Sequence, residues 1–119
     1  MALNCARILG KQEPLTTNEC KYLPYGIDII NAMVVGLGRE LPRGGRVETP
    51  ASSDVPDFLL LAGMKALRSD DRTRVYDPFM ELRETLVDLV NGTEVSPERR
   101  DAAARFFSET GSYISGYES

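Results

Sequence analysis

Residues 17–41 read TNECKYLPYGIDIINAMVVGLGREL, and this stretch decides the fold. Its apolar positions Cys20, Leu23, Ile27, Ile30, Val34, Leu37 and Leu41 fall at alternating steps of three and four, which keeps one face of a helix apolar over about three heptads. The spacing predicts a helix over about 17–41. Thr16-Thr17-Asn18-Glu19 has the form of a capping box, in which a threonine hydroxyl accepts an early N–H and Glu19 reaches back to the cap, so the helix should start there. Pro24 and Gly26 oppose an uninterrupted helix. An interior proline removes one hydrogen bond and clashes one turn back, at a cost of about 3 kcal/mol or more. A kink or a break near Leu23 is expected, and the unbroken phase of the seam favours the kink.

A second row, Tyr22, Ile29, Met33 and Gly36, lies beside the seam and leaves Asp28, Asn31 and Ala32 as interruptions. A helix apolar nearly all round belongs at the buried centre of a domain, with Ile30 and Val34 in the core. The apolar run 29–37 is far short of the roughly 20 residues a bilayer core requires, and Asp28 beside it would be costly there, so no membrane partner is expected. Gly26, Ala32, Gly36 and Gly38 would let another helix approach closely. Gly36 and Gly38 lack the preceding strand and the third glycine of a dinucleotide-binding turn.

Working outward, residues 3–9 form a short helix closed by Gly10, too short to stand alone. Asp54 or Ser53 can cap a helix with Pro56 and Asp57 in its first turn and Val55, Phe58, Leu59, Ala62, Ala66 and Leu67 on its apolar face. Leu60, Leu61 and Met64 widen that face. Asp77-Pro78 reads as a cap followed by the first helical residue, with a stripe of Phe79, Leu82, Leu86, Leu89 and Val90 ending at Asn91-Gly92. Ser96-Pro97-Glu98 repeats the start signal for a helix that turns Ala103, Phe106 and Phe107 inward and ends at Gly111. No window shows sustained period-2 alternation between hairpin turns. The expected fold is all-α: one domain over 1–119, a bundle of four or five helices around the central kinked helix, with a long loop at 42–53 and an irregular tail at 112–119.

Composition narrows the function. The 119 residues include no histidine and no tryptophan. Without imidazole the chain cannot run a Ser-His-Asp or Cys-His mechanism or build a His-ligated metal site. Catalysis is therefore the least expected class, and no cofactor is expected. Cys5 and Cys20 are too few for a disulfide scaffold and lack zinc spacing, which points to a reducing compartment; they could be bridged if the first helix folds back on the second, but with Cys20 in the seam two buried, inert thiols are expected. Residues 1–10 lack a signal-peptide pattern. The expected location is the cytoplasm or an intracellularly assembled particle, not the exterior. Fourteen basic against eighteen acidic residues give a net charge of -4, which opposes sequence-independent attraction to phosphate backbones, so nucleic acid is not the expected partner.

Three groups of residues are candidates for contact with a protein partner. Glu81, Glu84 and Asp88 stand three and four apart on one helix face. They resemble half of a carboxylate-bridged metal motif, but such motifs in helical bundles also bring a histidine. A solvated acidic face that can dock an Arg-rich partner is the expectation, with no metal. Arg39, Arg43 and Arg46 flank Gly44-Gly45, which offers backbone N–H groups beside guanidinium donors without the Gly-Lys-Ser/Thr ending of a P-loop. Tyr113, Ile114 and Tyr117 supply side chains of types enriched where proteins meet.

The reading that follows is a non-catalytic interaction protein, a structural or adaptor subunit of a homo- or hetero-oligomeric assembly. A small virion component such as a connector or head-completion subunit fits it, as does a subunit of a cellular complex. The alternative is a small acidic inhibitor or immunity-type protein that blocks a basic surface of its target.

Overall fold

The computed structural model describes residues 2–40 and 57–118. Within them the chain is all helical: α1 (Ala2–Gly10), α2 (Thr17–Cys20), α3 (Leu23–Glu40), α4 (Asp57–Ala66), α5 (Tyr76–Val90) and α6 (Pro97–Glu118), with a 3₁₀ turn at Arg72–Arg74 before α5. Five of these are bundle helices and α2 is a single turn. The α3 and α6 helices each pack against α1, α4 and α5, so the centre expected of α3 alone is shared with α6. One apolar cluster joins Cys5 and Leu9 of α1, Ile30, Met33, Val34 and Leu37 of α3, Leu60 and Met64 of α4, Phe79 and Leu86 of α5, and Phe106 and Phe107 of α6. The rings of Phe79, Phe106 and Phe107 meet edge to face at 6.1 and 5.3 Å between centroids, a geometry that contributes about 0.5–1.5 kcal/mol per pair beyond burial.

The expected helix over 17–41 is broken rather than kinked. The capping box is present: Glu19 N–H donates to Thr16 Oγ1 and Thr16 N–H to Glu19 Oε1, both at 3.1 Å. It starts only one turn. Lys21 and Tyr22 close that turn with tight bonds to the Asn18 and Glu19 carbonyls, and Pro24 has no N–H with which to continue the ladder to Cys20. The chain restarts at Leu23, which places Pro24 in the first turn of α3, where a missing donor is tolerated. The seam survives the break because Leu23, Ile30, Val34 and Leu37 remain buried. Of the polar interruptions, Asp28 faces solvent and Asn31 Oδ1 accepts from Arg83 Nε of α5 at 2.7 Å.

Four further expectations need correction. On α4 the buried residues are Leu60, Ala62, Gly63 and Met64, whereas Leu59 and Ala66 are half-buried and Leu61 is exposed. The face is set by Gly63, because a Cβ there would lie 2.6 Å from Met33 Sδ and 2.9 Å from the Phe79 ring. Helix α5 starts at Tyr76 with Val75 as cap and no side-chain cap bond, since the 3₁₀ turn capped by Asp71 delivers the chain already coiled; Thr73 holds the Asp71 carboxyl below its usual range through hydrogen bonds. Val90, expected in the stripe, is exposed. Finally, α6 does not stop at Gly111, and the irregular tail expected at 112–119 is helical to Glu118. A mid-helix glycine costs about 1 kcal/mol relative to alanine. Here Gly111 sits directly beneath Leu3 of α1, where a Cβ would fall 2.9 Å from its side chain, and the packing offsets the propensity.

Two helix ends make opposite choices at the same position. After α5, Gly92 adopts φ +80°, with Thr93 N–H donating to the Asp88 carbonyl and Gly92 N–H to that of Leu89, the paired bonds of a left-handed helix cap. After α4 the same bonds run from Ser69 to Met64 and from Arg68 to Lys65, but the left-handed residue is Arg68, φ 57°. A residue with a Cβ is disfavoured there by about 1–2 kcal/mol. Gly92→Ala should destabilise by about 1 kcal/mol. Arg68→Gly should gain about 0.5 kcal/mol once the extra freedom of the unfolded chain is subtracted. Its pair with Glu109, 3.6 Å and well exposed, contributes little. Urea melts of the two variants should move in opposite directions; equal signs would contradict the cap assignments.

Candidate functional site

Glu81, Glu84 and Asp88 are on one face of α5, as their spacing requires, and they line a groove of about 530 Å³ against the start of α6. Leu67, Leu82 and Ala102 give the groove its apolar floor. Glu81 and Glu84 face solvent. Asp88 is engaged: Arg99 Nη2 of α6 donates to its Oδ2 at 3.1 Å, and Arg99 Nε donates to Thr85 Oγ1 at 3.2 Å. Thr85 is buried and its hydroxyl donates in turn to the Glu81 carbonyl at 3.0 Å. This chain of bonds links α5 to the first turn of α6 at the groove. Among the described residues no group of three or more acidic or cysteine side chains is placed to hold a metal ion.

The other candidates lie elsewhere. Tyr113 is on the α4 side of α6, with Lys65 Nζ 5.6 Å from its ring centroid, close enough for a cation–π contact. Ile114 is half-buried beside it in the chain. Arg39 is the penultimate residue of α3, and its side chain lies outside the described residues, as do Arg43, Arg46 and the side chain of Tyr117. The structure therefore brings Glu81, Glu84 and Asp88 together and sets Tyr113 and Ile114 apart from them.

Sequence reading missed Arg99 and Arg100, which tie the first turn of α6 to its neighbours. Arg100 is 8% exposed and donates from Nε to the Leu9 carbonyl, from Nη2 to that of Ile8 and from Nη1 to that of Glu13, at 3.2, 3.0 and 2.8 Å. It thereby closes the C-terminus of α1, where carbonyls have no partner within the helix and carry partial negative charge. A signal was present. Two arginines in the first turn of a helix oppose its dipole, so each needs a partner on another element, and Asp88 and the end of α1 provide them.

Cys5 and Cys20 are free thiols. Burial raises the pKa of Cys5 and keeps it a thiol, while Cys20 is half-buried, more accessible than expected. Among the described residues no helix is long and apolar enough to cross a membrane. No protein-family model matches the chain, and no curated protein or solved structure matches it.

Proposed function

We propose that this chain is a non-catalytic interaction protein, a subunit or adaptor of a larger assembly, and that the α5–α6 groove receives a basic segment of its protein partner. The observation that carries the reading is the pairing, in one groove, of apolar Leu67 and Leu82 with the exposed carboxylates of Glu81 and Glu84. Apolar side chains of a partner helix would bury against the floor, and its arginines would pair with the carboxylates, which confers orientation and association rate more than raw affinity. Because Asp88 is held by Arg99, the wall's free charge is concentrated at Glu81 and Glu84.

The same exposed carboxylates support a second reading, an inhibitor whose acidic face covers a basic surface of its target. Light scattering separates the two. An assembly subunit self-associates or joins a multi-chain complex, and an inhibitor stays small with one tight partner. For either reading the double variant Glu81→Lys/Glu84→Lys should unfold within about 0.5 kcal/mol of the parent, as exposed substitutions do. It should also bind a synthetic helical peptide bearing Arg and Leu at i, i+4 at least about tenfold more weakly. Unchanged affinity would remove the groove as the docking surface.

A further inference from the structure

A second cleft opens at the end of the bundle, where the chain leaving α1 passes the end of α5 and the start of α6. Its volume is about 670 Å³, within the range of small-molecule sites. It is separate from the groove above: Arg99 lines one and Arg100 the other. The lining is mixed: half-buried Leu15, Leu89, Val95 and Cys20 supply an apolar part, and Gln12, Glu13, Thr93, Glu94 and Arg100 a polar one.

Arg100 gives this cleft its chemistry. A guanidinium has five N–H donors, and here one each from Nε, Nη1 and Nη2 goes to a main-chain carbonyl. One donor on each Nη is left. The three acceptors are neutral, and among the described residues no carboxylate pairs with Arg100. A cation this deeply buried is ordinarily matched by an anion, and a carboxylate has two oxygens that can each accept from one Nη. Glu13 and Glu94 stand exposed at the rim, and with the net charge of -4 they repel polyanions. A single negative charge meets less of that opposition than a polyanion does, and an apolar body gains from Leu15, Leu89 and Val95.

We infer that this cleft is a binding site for a small monocarboxylate with an apolar body, its carboxylate held by Arg100 and its body by Leu15, Leu89 and Val95. Octanoate is the probe, with octanol and inorganic phosphate as comparisons, titrated into the full chain while the Arg100 Nε–H resonance and the reaction of Cys20 with a thiol reagent are followed. Octanoate should shift the resonance saturably and slow Cys20 modification at least fivefold, and octanol should bind at least tenfold more weakly. Phosphate should leave both readouts unchanged. An absent octanoate shift, equal binding of octanol, or an equal effect of phosphate each overturns the assignment. Because Arg100 also closes α1 and its replacement can unfold the chain, the deciding variant is Val95→Glu, which sets a carboxylate in the wall. With the Arg100 resonance still in place, Val95→Glu should weaken octanoate at least tenfold, and unchanged affinity overturns the site.

Discussion

Arg100→Met should lower the unfolding free energy by about 3 kcal/mol, equivalent to about 10 °C in Tm for a domain of this size. Methionine keeps most of the aliphatic packing, so the loss isolates the guanidinium. Without it the Ile8, Leu9 and Glu13 carbonyls, bonded at 3.0, 3.2 and 2.8 Å, lose their donor, the first two in a buried setting and the third in a part-buried one. Hydrogen bonds from a charged group are each worth about 1.5–3 kcal/mol, but the three share one side chain and do not add fully. The damage should concentrate in α1, a nine-residue helix that cannot persist without tertiary support. Hydrogen exchange in α1 should therefore accelerate more than in α5. Arg100→Lys should recover less than half of the loss, because an ammonium cannot match three acceptors arranged around a planar fork. A loss below about 1 kcal/mol for Arg100→Met would mean that water serves that helix end as well as the guanidinium does.

Gly26→Val should be comparably damaging, at about 4 kcal/mol, through overpacking. A Cβ on Gly26 would lie 2.7 Å from Leu86 Cδ2, 3.1 Å from Cys5 Sγ and 3.2 Å from Phe107 Cζ. Those atoms belong to α5, α1 and α6, so a substituent on α3 has neighbours on three sides. Alanine separates the two opposing effects. Replacing glycine inside a helix gains about 1 kcal/mol in propensity, and insertion into a filled core costs about 1–3 kcal/mol. The Leu86 terminus can rotate, but the thiol and the ring close the other directions, so Gly26→Ala should still lose about 1 kcal/mol. Equilibrium urea unfolding reads both values. A stabilised Gly26→Ala would show that the four helices meet more loosely at this point than the distances indicate.

Gly26 also marks where sequence reading ends. Its smallness and its place on an apolar helix are legible in residues 17–41, and close approach by another helix follows. Which helices approach is not legible, because the contacts to Cys5, Leu86 and Phe107 span 21, 60 and 81 positions of the chain. Gly63 was missed outright: counting apolar residues weighs a glycine as nothing, whereas in packing it decides which face of α4 meets Met33 and Phe79. The acidic face of α5 was legible because helical spacing alone brings Glu81, Glu84 and Asp88 together. Its opposite wall, and the engagement of Asp88 by Arg99, were not.

The sequence by itself determined what depends on neighbours within one or two turns: the all-helical class, the capping box at Thr16, the start of α6 after Ser96, the left-handed stop at Gly92 and the buried seam of Ile30, Val34 and Leu37. These follow from local steric rules and from side-chain periodicity, which act along the chain. Only the tertiary structure decided that α6 continues past Gly111 beneath Leu3, that Arg100 closes α1 from 91 residues away, and that a groove and a cleft open on either side of the first turn of α6. The physical reason is that burial and unpartnered polar groups act between elements that contact without regard to their separation in sequence. They can override a local preference of about 1 kcal/mol, as the glycine in mid-helix shows.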